Sequence, residues 1–300
     1  MAVLILLAAL VCLDLMNAIV KHLLPRYEAV ELSAWRNIIG MLPSLVILFL
    51  SEEMRSGRAS WRMRQWPLAM MRGLFTAVAQ LLLYVALAGL AFATVTTLVQ
   101  TLSFFVVVLS VPLLGERIGP WRWAAVAIGF AGAVLIMRPG SDAFSWLALL
   151  PVGAAALYAL AAVTARMIDG AVPNALVYLY SAVSATIWAV VLALSTTGMA
   201  LPQTWLDAGM IFAMGCLGGV GVMLLLVSAR MTSPARLSPF KYTAILISIV
   251  TGWLLFDELP IDTLFPGVLL IVAAGLIVVW RESRGKRAPD SVLPSKVAPR

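Results

Sequence analysis

Ten long apolar segments, separated by short polar connections, determine what this chain can fold into. They cover residues 2–20, 30–50, 68–90, 92–114, 120–138, 146–166, 174–197, 208–228, 237–256 and 261–280. A helix needs about 20 such residues to cross the hydrocarbon core of a bilayer. A strand of a membrane barrel would be about half as long and would alternate strictly. The sequence therefore predicts an all-α integral membrane protein with ten transmembrane helices.

The composition excludes most other classes of protein. Apolar residues make up 62% of the chain and charged residues 12%, against about 45–50% and about 25% in soluble domains. Soluble enzymes, nucleic-acid-binding domains and secreted disulfide scaffolds are excluded. Cys12 and Cys216 lie inside apolar segments, so no disulfide framework is indicated. The opening MAVLILLAALVCL lacks the basic region of a signal peptide, and we expect it to be the first span.

The basic residues predict the orientation of the chain. With a cytoplasmic N-terminus, sixteen of the 21 Lys and Arg residues fall on the cytoplasmic side and three, Lys21, Arg26 and Arg138, fall outside. This asymmetry follows the positive-inside rule. It predicts that both termini are cytoplasmic, which requires an even number of spans.

The two halves of the chain resemble each other. FVVVLSVPLLGERI (105–118) aligns with ISIVTGWLLFDELP (247–260), and GAVLIMR (132–138) aligns with GLIVVWR (275–281). Five spans per copy is an odd number, so the second copy would enter the membrane upside down. We predict two inverted five-helix repeats, 1–140 and 141–283, followed by a basic cytoplasmic tail at 284–300. Inverted repeats are typical of transporters with a substrate site between the repeats.

Several stretches also resemble one known family. They are MNAIVKHLL (16–24), AWRNIIGMLP (34–43), RGLFTAVAQLLLYVALAGL (72–90), LLGERIGPWRWAAVAIGFAGAVLIMRPG (113–140) and SPFKYTAILISIVTGWLLFDELP (238–260). Together they resemble the ten-span EamA-type exporters of the drug/metabolite transporter superfamily, which includes exporters of aromatic amino acids. The resemblance implies export of small metabolites, commonly amino acids or drugs. Because the sequence has no organelle signal, the resemblance also implies a bacterial inner membrane. This sequence departs from the family pattern at Asn17, Ser103 and Asp257, where many relatives have Asp, Pro and Gly.

Polar side chains inside the apolar spans are the candidates for a substrate-binding site. A site for amphipathic solutes needs apolar walls and a few hydrogen-bonding groups. The predicted substrate-binding residues are Asn17, Gln80, Tyr84, Gln100, Thr101, Tyr158 and Tyr242. For each of them, hydrogen bonding between helices is the alternative role.

Asp14 is the only acid well inside a span. A carboxylate at membrane depth is unfavourable by about 2.5–3.5 kcal/mol on insertion scales, so it normally faces a cavity or a partner. Asp14 is a candidate site for coupling to protons or cations, and a hydrogen-bonded structural acid is the alternative. Lys21 lies on the same helical face and either joins this polar face or extends to the outer interface.

Three residues are candidates for gating. Pro239 lies near the start of span nine, where it would kink the helix beside Tyr242. Arg72 and Glu116 share the predicted cytoplasmic side and could form a structural ion pair or a gate. Arg36 lies near the opposite end of its own span.

The predicted function is export of amino acids or related amphipathic metabolites by alternating access. The alternative is a proton-coupled, polyspecific exporter of drugs or organic cations that uses Asp14. No GxxxxGK[ST] motif is present, so transport is either facilitated or driven by a gradient. One histidine and no catalytic set argue against an enzyme, and the lack of charged rings argues against a channel. We expect no catalytic residue, metal, cofactor, nucleic acid or obligatory protein partner; the expected partners are the lipid bilayer and a small molecule.

Overall fold

The computed structural model describes residues 1–50, 63–140, 144–168, 172, 174–232 and 234–285. The regular structure in these ranges is helical, which confirms the predicted all-α class. The first half contains α1 (Ala2–Leu23), α2 (Ala29–Leu50), α3 (Trp66–Gly89), α4 (Phe92–Val99), α5 (Leu102–Leu114) and α6 (Pro120–Met137). The second half contains a 3-10 turn (Trp146–Ala148), α7 (Leu149–Arg166), α8 (Asn174–Thr196), α9 (Trp205–Met231), α10 (Pro234–Lys241), α11 (Thr243–Phe256), α12 (Ile261–Leu264) and α13 (Gly267–Gly285).

Eight helical segments in the described part of the chain are long and apolar enough to cross a membrane. Each of two such segments, Phe92–Leu114 and Pro239–Phe256, takes in two consecutive helices. Helices α2 and α13 coincide with the two other predicted spans. The protein is therefore a multi-pass membrane protein, while the count of ten and the boundaries at 140 and 283 stay predictions. Residues 51–62 and 286–300, which include most of the predicted tail, lie outside the described residues.

Span four is not one continuous helix, contrary to the prediction. The helix ends at Val99 and restarts at Leu102, and the amides of Gln100 and Thr101 bond carbonyls three residues back. The hydroxyl of Thr101 also donates to the Leu98 carbonyl at 2.7 Å. Such side-chain bonds compete with the helical ladder and bend it. Span nine is interrupted in the same way at Tyr242, between α10 and α11.

Span ten begins later than predicted. The sequence predicts a helix from 261, but α12 ends at Leu264 and α13 begins at Gly267. Pro266 lies between them and has no amide hydrogen to continue the ladder. The predicted span is therefore divided into a short helix and a longer one.

The ends of spans four and nine have the same backbone geometry. Gly115 and Asp257 both adopt the left-handed conformation, with φ of 67° and 53°. In both places the next residue, Glu116 or Glu258, donates its amide to a carbonyl six residues back. Two matching helix ends of this kind agree with the predicted alignment of Glu116 with Glu258. The complete inverted repeat stays a prediction.

Glycines set how closely the helices approach. Helix α1 packs against α9 and α11, α3 against α7 and α8, and α6 against α13. A Cβ added to Gly73 would lie 2.2 Å from the Ser181 carbonyl oxygen, and one added to Gly267 would lie 2.4 Å from the Gly132 carbonyl oxygen. Small residues at such contacts allow backbones to touch, which is how membrane helices associate.

Candidate functional site

A hydrogen-bonded network joins α2 to α3 inside the helix bundle. The amide nitrogen of Asn37 donates to the side-chain oxygen of Gln80 at 3.3 Å and to the Ser33 carbonyl at 2.8 Å. Gln80 donates in turn to the Ser33 hydroxyl at 3.3 Å. All three side chains are buried. The predicted residue Gln80 therefore belongs to a polar network whose other members, Ser33 and Asn37, the sequence analysis missed.

Asp14 is bound by a hydroxyl from the other half of the chain. The Thr251 side chain on α11 donates to Asp14 Oδ2. Asp14 is 5% exposed and Thr251 is 9% exposed, so water reaches neither of them freely. The predicted coupling acid thus joins α1 to α11, and its role in coupling stays a prediction.

Arg36 lies close to two of the predicted tyrosines. Its charge acts on the hydroxyls of both Tyr84 and Tyr158. The Tyr84 side chain is fully buried, and its hydroxyl lies beside Gln80 without the geometry of a hydrogen bond. The side-chain oxygen of Asn17 is also buried without a partner in the described part of the chain. Two of the predicted binding residues, Asn17 and Tyr84, therefore have buried polar atoms that no described residue satisfies.

The remaining predicted binding residues lie at the two helix breaks. Gln100 donates to the Lys241 carbonyl at 3.0 Å, which links the break in span four to the break in span nine. Thr101 is fully buried and bonded to its own helix. Tyr242 packs over Gly275, where an added Cβ would lie 1.7 Å from the phenolic oxygen. Pro239 lies inside α10, one turn before Tyr242. No described contact joins these residues to the network around Gln80.

Glu116 forms an ion pair with Arg166, and not with Arg72 as the sequence analysis allowed. The Arg72 guanidinium instead donates to the Ala161 carbonyl at 3.0 Å and the Ser181 hydroxyl at 2.9 Å. Burial opposes ionisation of Glu116, but the hydrogen bond and charge of Arg166 and the charge of Arg122 outweigh it. The pKa of Glu116 therefore lies below its usual value. The gating roles of Arg72 and Glu116 stay predictions.

A second ion pair stands at the end of span nine. Lys21 Nζ lies 2.6 Å from one carboxylate oxygen of Glu258 and 2.8 Å from the other, and it also donates to the Leu90 carbonyl at 2.8 Å. Lys21 therefore pairs with an acid and does not extend alone to the interface. The repeat alignment makes Glu258 the equivalent of Glu116, and it could have suggested that both acids have basic partners.

Two cavities are lined by described residues. One of about 380 Å³ is bordered by Leu90, Thr94, Ser145 and Asp262 among others, and the carbonyl of Leu90 is the one that accepts from Lys21. The second, of about 220 Å³, lies between α2, α3 and α8 and is lined by Ser33 of the polar network, by Trp188 and by apolar side chains. None of the seven predicted binding residues lines either cavity.

The chain matches a known family over its first half. Residues 1–138 match the EamA-like transporter family. The resemblance predicted from the sequence is confirmed, and the polar network around Gln80 lies within the matched residues.

Several relatives are named as transporters of small molecules. The riboflavin transporter of Rhizobium johnstonii is 32% identical over 64% of this chain and 63% of its own length. The S-adenosylmethionine uptake transporter of Rickettsia bellii is 27% identical over 65% of this chain and 67% of its own length. The pseudopaline exporter of Pseudomonas aeruginosa is 27% identical over 91% of this chain and 93% of its own length. The matches support membrane transport of a small molecule, and the names include both uptake and export.

One solved crystal structure has the same fold. It matches with a TM-score of 0.64 at 18% identity, over 95% of this chain and 98% of its own. A likeness at this identity concerns the fold alone.

Proposed function

We propose that this protein is an inner-membrane transporter that exports amino acids or related amphipathic metabolites by alternating access. The observation that carries the proposal is the buried network of Ser33, Asn37 and Gln80, which lies beside the unsatisfied Tyr84 hydroxyl in an otherwise apolar bundle. Polar groups at membrane depth are unfavourable unless a partner or a solute meets them. Tyrosine side chains and aliphatic walls beside amide groups suit a solute with one apolar and one polar part.

The interrupted spans support the alternating-access part of the proposal. Helices broken near the middle of the bilayer are typical of transporter binding sites. Here the breaks at Gln100 and Tyr242 are linked through the Lys241 carbonyl. A movement of span four would therefore change the position of span nine. The distribution of basic residues supports cytoplasmic termini.

The experiment is counterflow in proteoliposomes. Vesicles are preloaded with one unlabelled amino acid from a panel, and uptake of a labelled amino acid is followed without an ion gradient. We expect acceleration by a subset of the panel, and a Gln80→Leu variant should lose most of it because the substitution removes the centre of the network. Vesicles without protein are the control. If no amino acid accelerates uptake, the proposed substrate class is wrong.

Asp14 supports a second candidate, a proton-coupled exporter of organic cations. The acid on α1 is buried against Thr251 on α11, so it joins a helix of the first half of the chain to a helix of the second half. Protonation of Asp14 would change this contact. This candidate replaces the first if the wild-type protein shows no amino-acid counterflow but takes up organic cations under a pH gradient, and if Asp14→Asn abolishes that uptake.

A further inference from the structure

Arg36 is a cation inside an apolar span. It lies seven residues after the start of α2, which corresponds to about 10 Å along the helix. A charged residue at such a depth normally faces a partner, a cavity or the path of a substrate. In the part of the chain that the structure describes, no acid forms an ion pair with Arg36.

The guanidinium is only partly satisfied by the protein. Its Nη1 donates to the side-chain oxygen of the neighbouring Asn37 at 3.2 Å. Its Nε is buried, and no described residue accepts a hydrogen bond from it. A buried donor without a partner is unfavourable, so the site is incomplete as the protein alone forms it.

Arg72 shows how the same fold satisfies the guanidinium of an arginine with its own oxygen atoms. Both its Nε and its Nη1 bond to oxygens of neighbouring helices. The two arginines differ in this respect although both lie within predicted spans. The described protein atoms accept hydrogen bonds from both Nε and Nη1 of Arg72, whereas the Nε of Arg36 has no described acceptor.

Gly218 on α9 packs closely against the guanidinium of Arg36. A Cβ added there would lie 2.9 Å from Nε, 3.2 Å from Nη2 and 2.7 Å from the Met16 sulfur. A side chain at position 218 would therefore collide with this edge of the guanidinium. The Tyr84 hydroxyl is buried without a hydrogen-bond partner in the described part of the chain. Tyr84 lies one turn after Gln80 on α3, and Gln80 is linked to Arg36 through Asn37.

We propose that the Nε–Nη2 edge of Arg36, with the Tyr84 hydroxyl, binds the carboxylate of the transported solute. This inference rests on the proposed function and specifies its substrate class, namely solutes with a carboxylate. The planar fork of arginine matches the two oxygens of a carboxylate, and such charge-assisted bonds are strong. A solute that bears only a positive charge would meet an uncompensated cation, so the site rejects organic cations.

The test compares solutes that differ only in this group. In the proteoliposome assay, L-phenylalanine and L-phenylalaninamide compete with the uptake of a labelled amino acid. The wild-type protein should prefer the acid, and Arg36→Gln should lower that preference by about tenfold or more. Tyr84→Phe removes one hydroxyl only and should lower it by about three- to tenfold.

Two control variants separate recognition from folding. Arg36→Lys keeps the charge and should retain part of the preference, because an ammonium replaces the fork by a single point charge. Arg72→Gln removes an arginine that the protein itself satisfies, and the ratio between acid and amide should stay that of the wild type. The inference is overturned if Arg36→Gln and Tyr84→Phe both keep the wild-type ratio.

A binding measurement separates this inference from the proposed function. The thermal unfolding temperature of the detergent-purified protein is measured with 3-phenylpropionate or with 3-phenylpropionamide. We expect the acid alone to stabilise the wild type, and neither compound to stabilise Arg36→Gln. If no amino acid is transported but this pattern is found, the proposed amino-acid transport fails and the carboxylate site stands. If the acid and the amide stabilise the wild type equally, the carboxylate site fails.

Discussion

Lys21 and Glu258, 237 residues apart in the chain, form a bidentate ion pair that closes one end of the helix bundle. Glu258 also accepts the Phe92 amide at 2.8 Å, so the pair joins α1, the start of α4 and the end of α11. Arg166 and Glu116 form the corresponding pair at the end of span four. An odd number of predicted crossings separates Lys21 from Arg166, so we predict that the two pairs lie at opposite faces of the membrane.

The Lys21–Glu258 pair should stabilise the protein more than the Arg166–Glu116 pair. The Lys21 and Glu258 side chains are 13% and 29% exposed, whereas those of Arg166 and Glu116 are 52% and 35% exposed. We expect Glu258→Gln to lower the free energy of unfolding by about 1–3 kcal/mol, and Glu116→Gln by about 0–1 kcal/mol. Thermal unfolding in detergent measures both. Equal losses in the two variants would contradict the prediction.

The stability of the protein should depend on the charge of Glu116 at acidic pH. Its folded-state pKa lies below the unfolded value of 4.5. A depressed carboxyl pKa gives stabilisation that is present above the unfolded pKa and disappears as pH falls through the folded pKa. The difference in unfolding temperature between wild type and Glu116→Gln should therefore be constant above pH 4.5 and shrink below it. A difference that does not change on acidification would contradict this assignment.

Replacing Asp257 by Gly should stabilise the protein. Asp257 ends α11 with φ of 53°, a region that is unfavourable for residues with a Cβ. Asp257→Gly removes this strain, and we expect a gain of about 0.5 kcal/mol after the larger unfolded-chain entropy of Gly is subtracted. Gly115→Asp at the equivalent helix end, where φ is 67°, should have the opposite sign. Chemical denaturation in mild detergent measures both signs, and a loss in both variants would refute the equivalence.

Gly73→Ala should destabilise the contact between α3 and α8. The added Cβ would lie 2.2 Å from the Ser181 carbonyl oxygen, which is backbone and cannot turn aside. We expect a loss of about 1–3 kcal/mol in the free energy of unfolding, as for other overpacked sites. Gly209→Ala on α9 is the matched control because nothing lies within 4 Å of its added Cβ. That variant should gain about 0.5–1 kcal/mol from helix propensity, and a similar loss in both variants would contradict the packing argument.

Asp14→Asn should keep amino-acid counterflow if Asp14 is a structural acid. Asn retains an oxygen that can accept the hydrogen bond from Thr251, so the contact between α1 and α11 is preserved. The measurement is counterflow at two pH values, with Thr251→Val as the companion that removes the same contact from the other side. Loss of transport in Asp14→Asn but not in Thr251→Val would assign Asp14 to coupling.

The sequence predicted the helical spans because each span must satisfy its own backbone N–H and C=O groups by internal hydrogen bonds in lipid. This requirement is local to each segment. The starts of α3 and α6 and the ends of α7 and α11 fall within two residues of their predicted positions. The interruption at Gln100 was not predicted, because a hydroxyl that bonds its own helix does not change an apolar pattern. The interruption at Tyr242 lies beside Pro239, where the sequence predicted a kink. The predicted site residues do not form one cluster. Gln80 belongs to a network that is linked to Arg36 through Asn37, whereas Gln100 and Tyr242 lie at the breaks, and their binding roles stay predictions.

The sequence by itself determined the class of protein, the lengths of the spans and the polar positions inside them. Only the tertiary structure decided which charges meet: Lys21 with Glu258, Arg166 with Glu116, and Arg72 with the oxygens of α7 and α8. The physical reason is that apolar helices resemble each other in composition, so hydrophobicity does not select their partners. Close contacts at glycines and the reach of a few polar side chains make that selection, and these contacts join residues far apart in the chain.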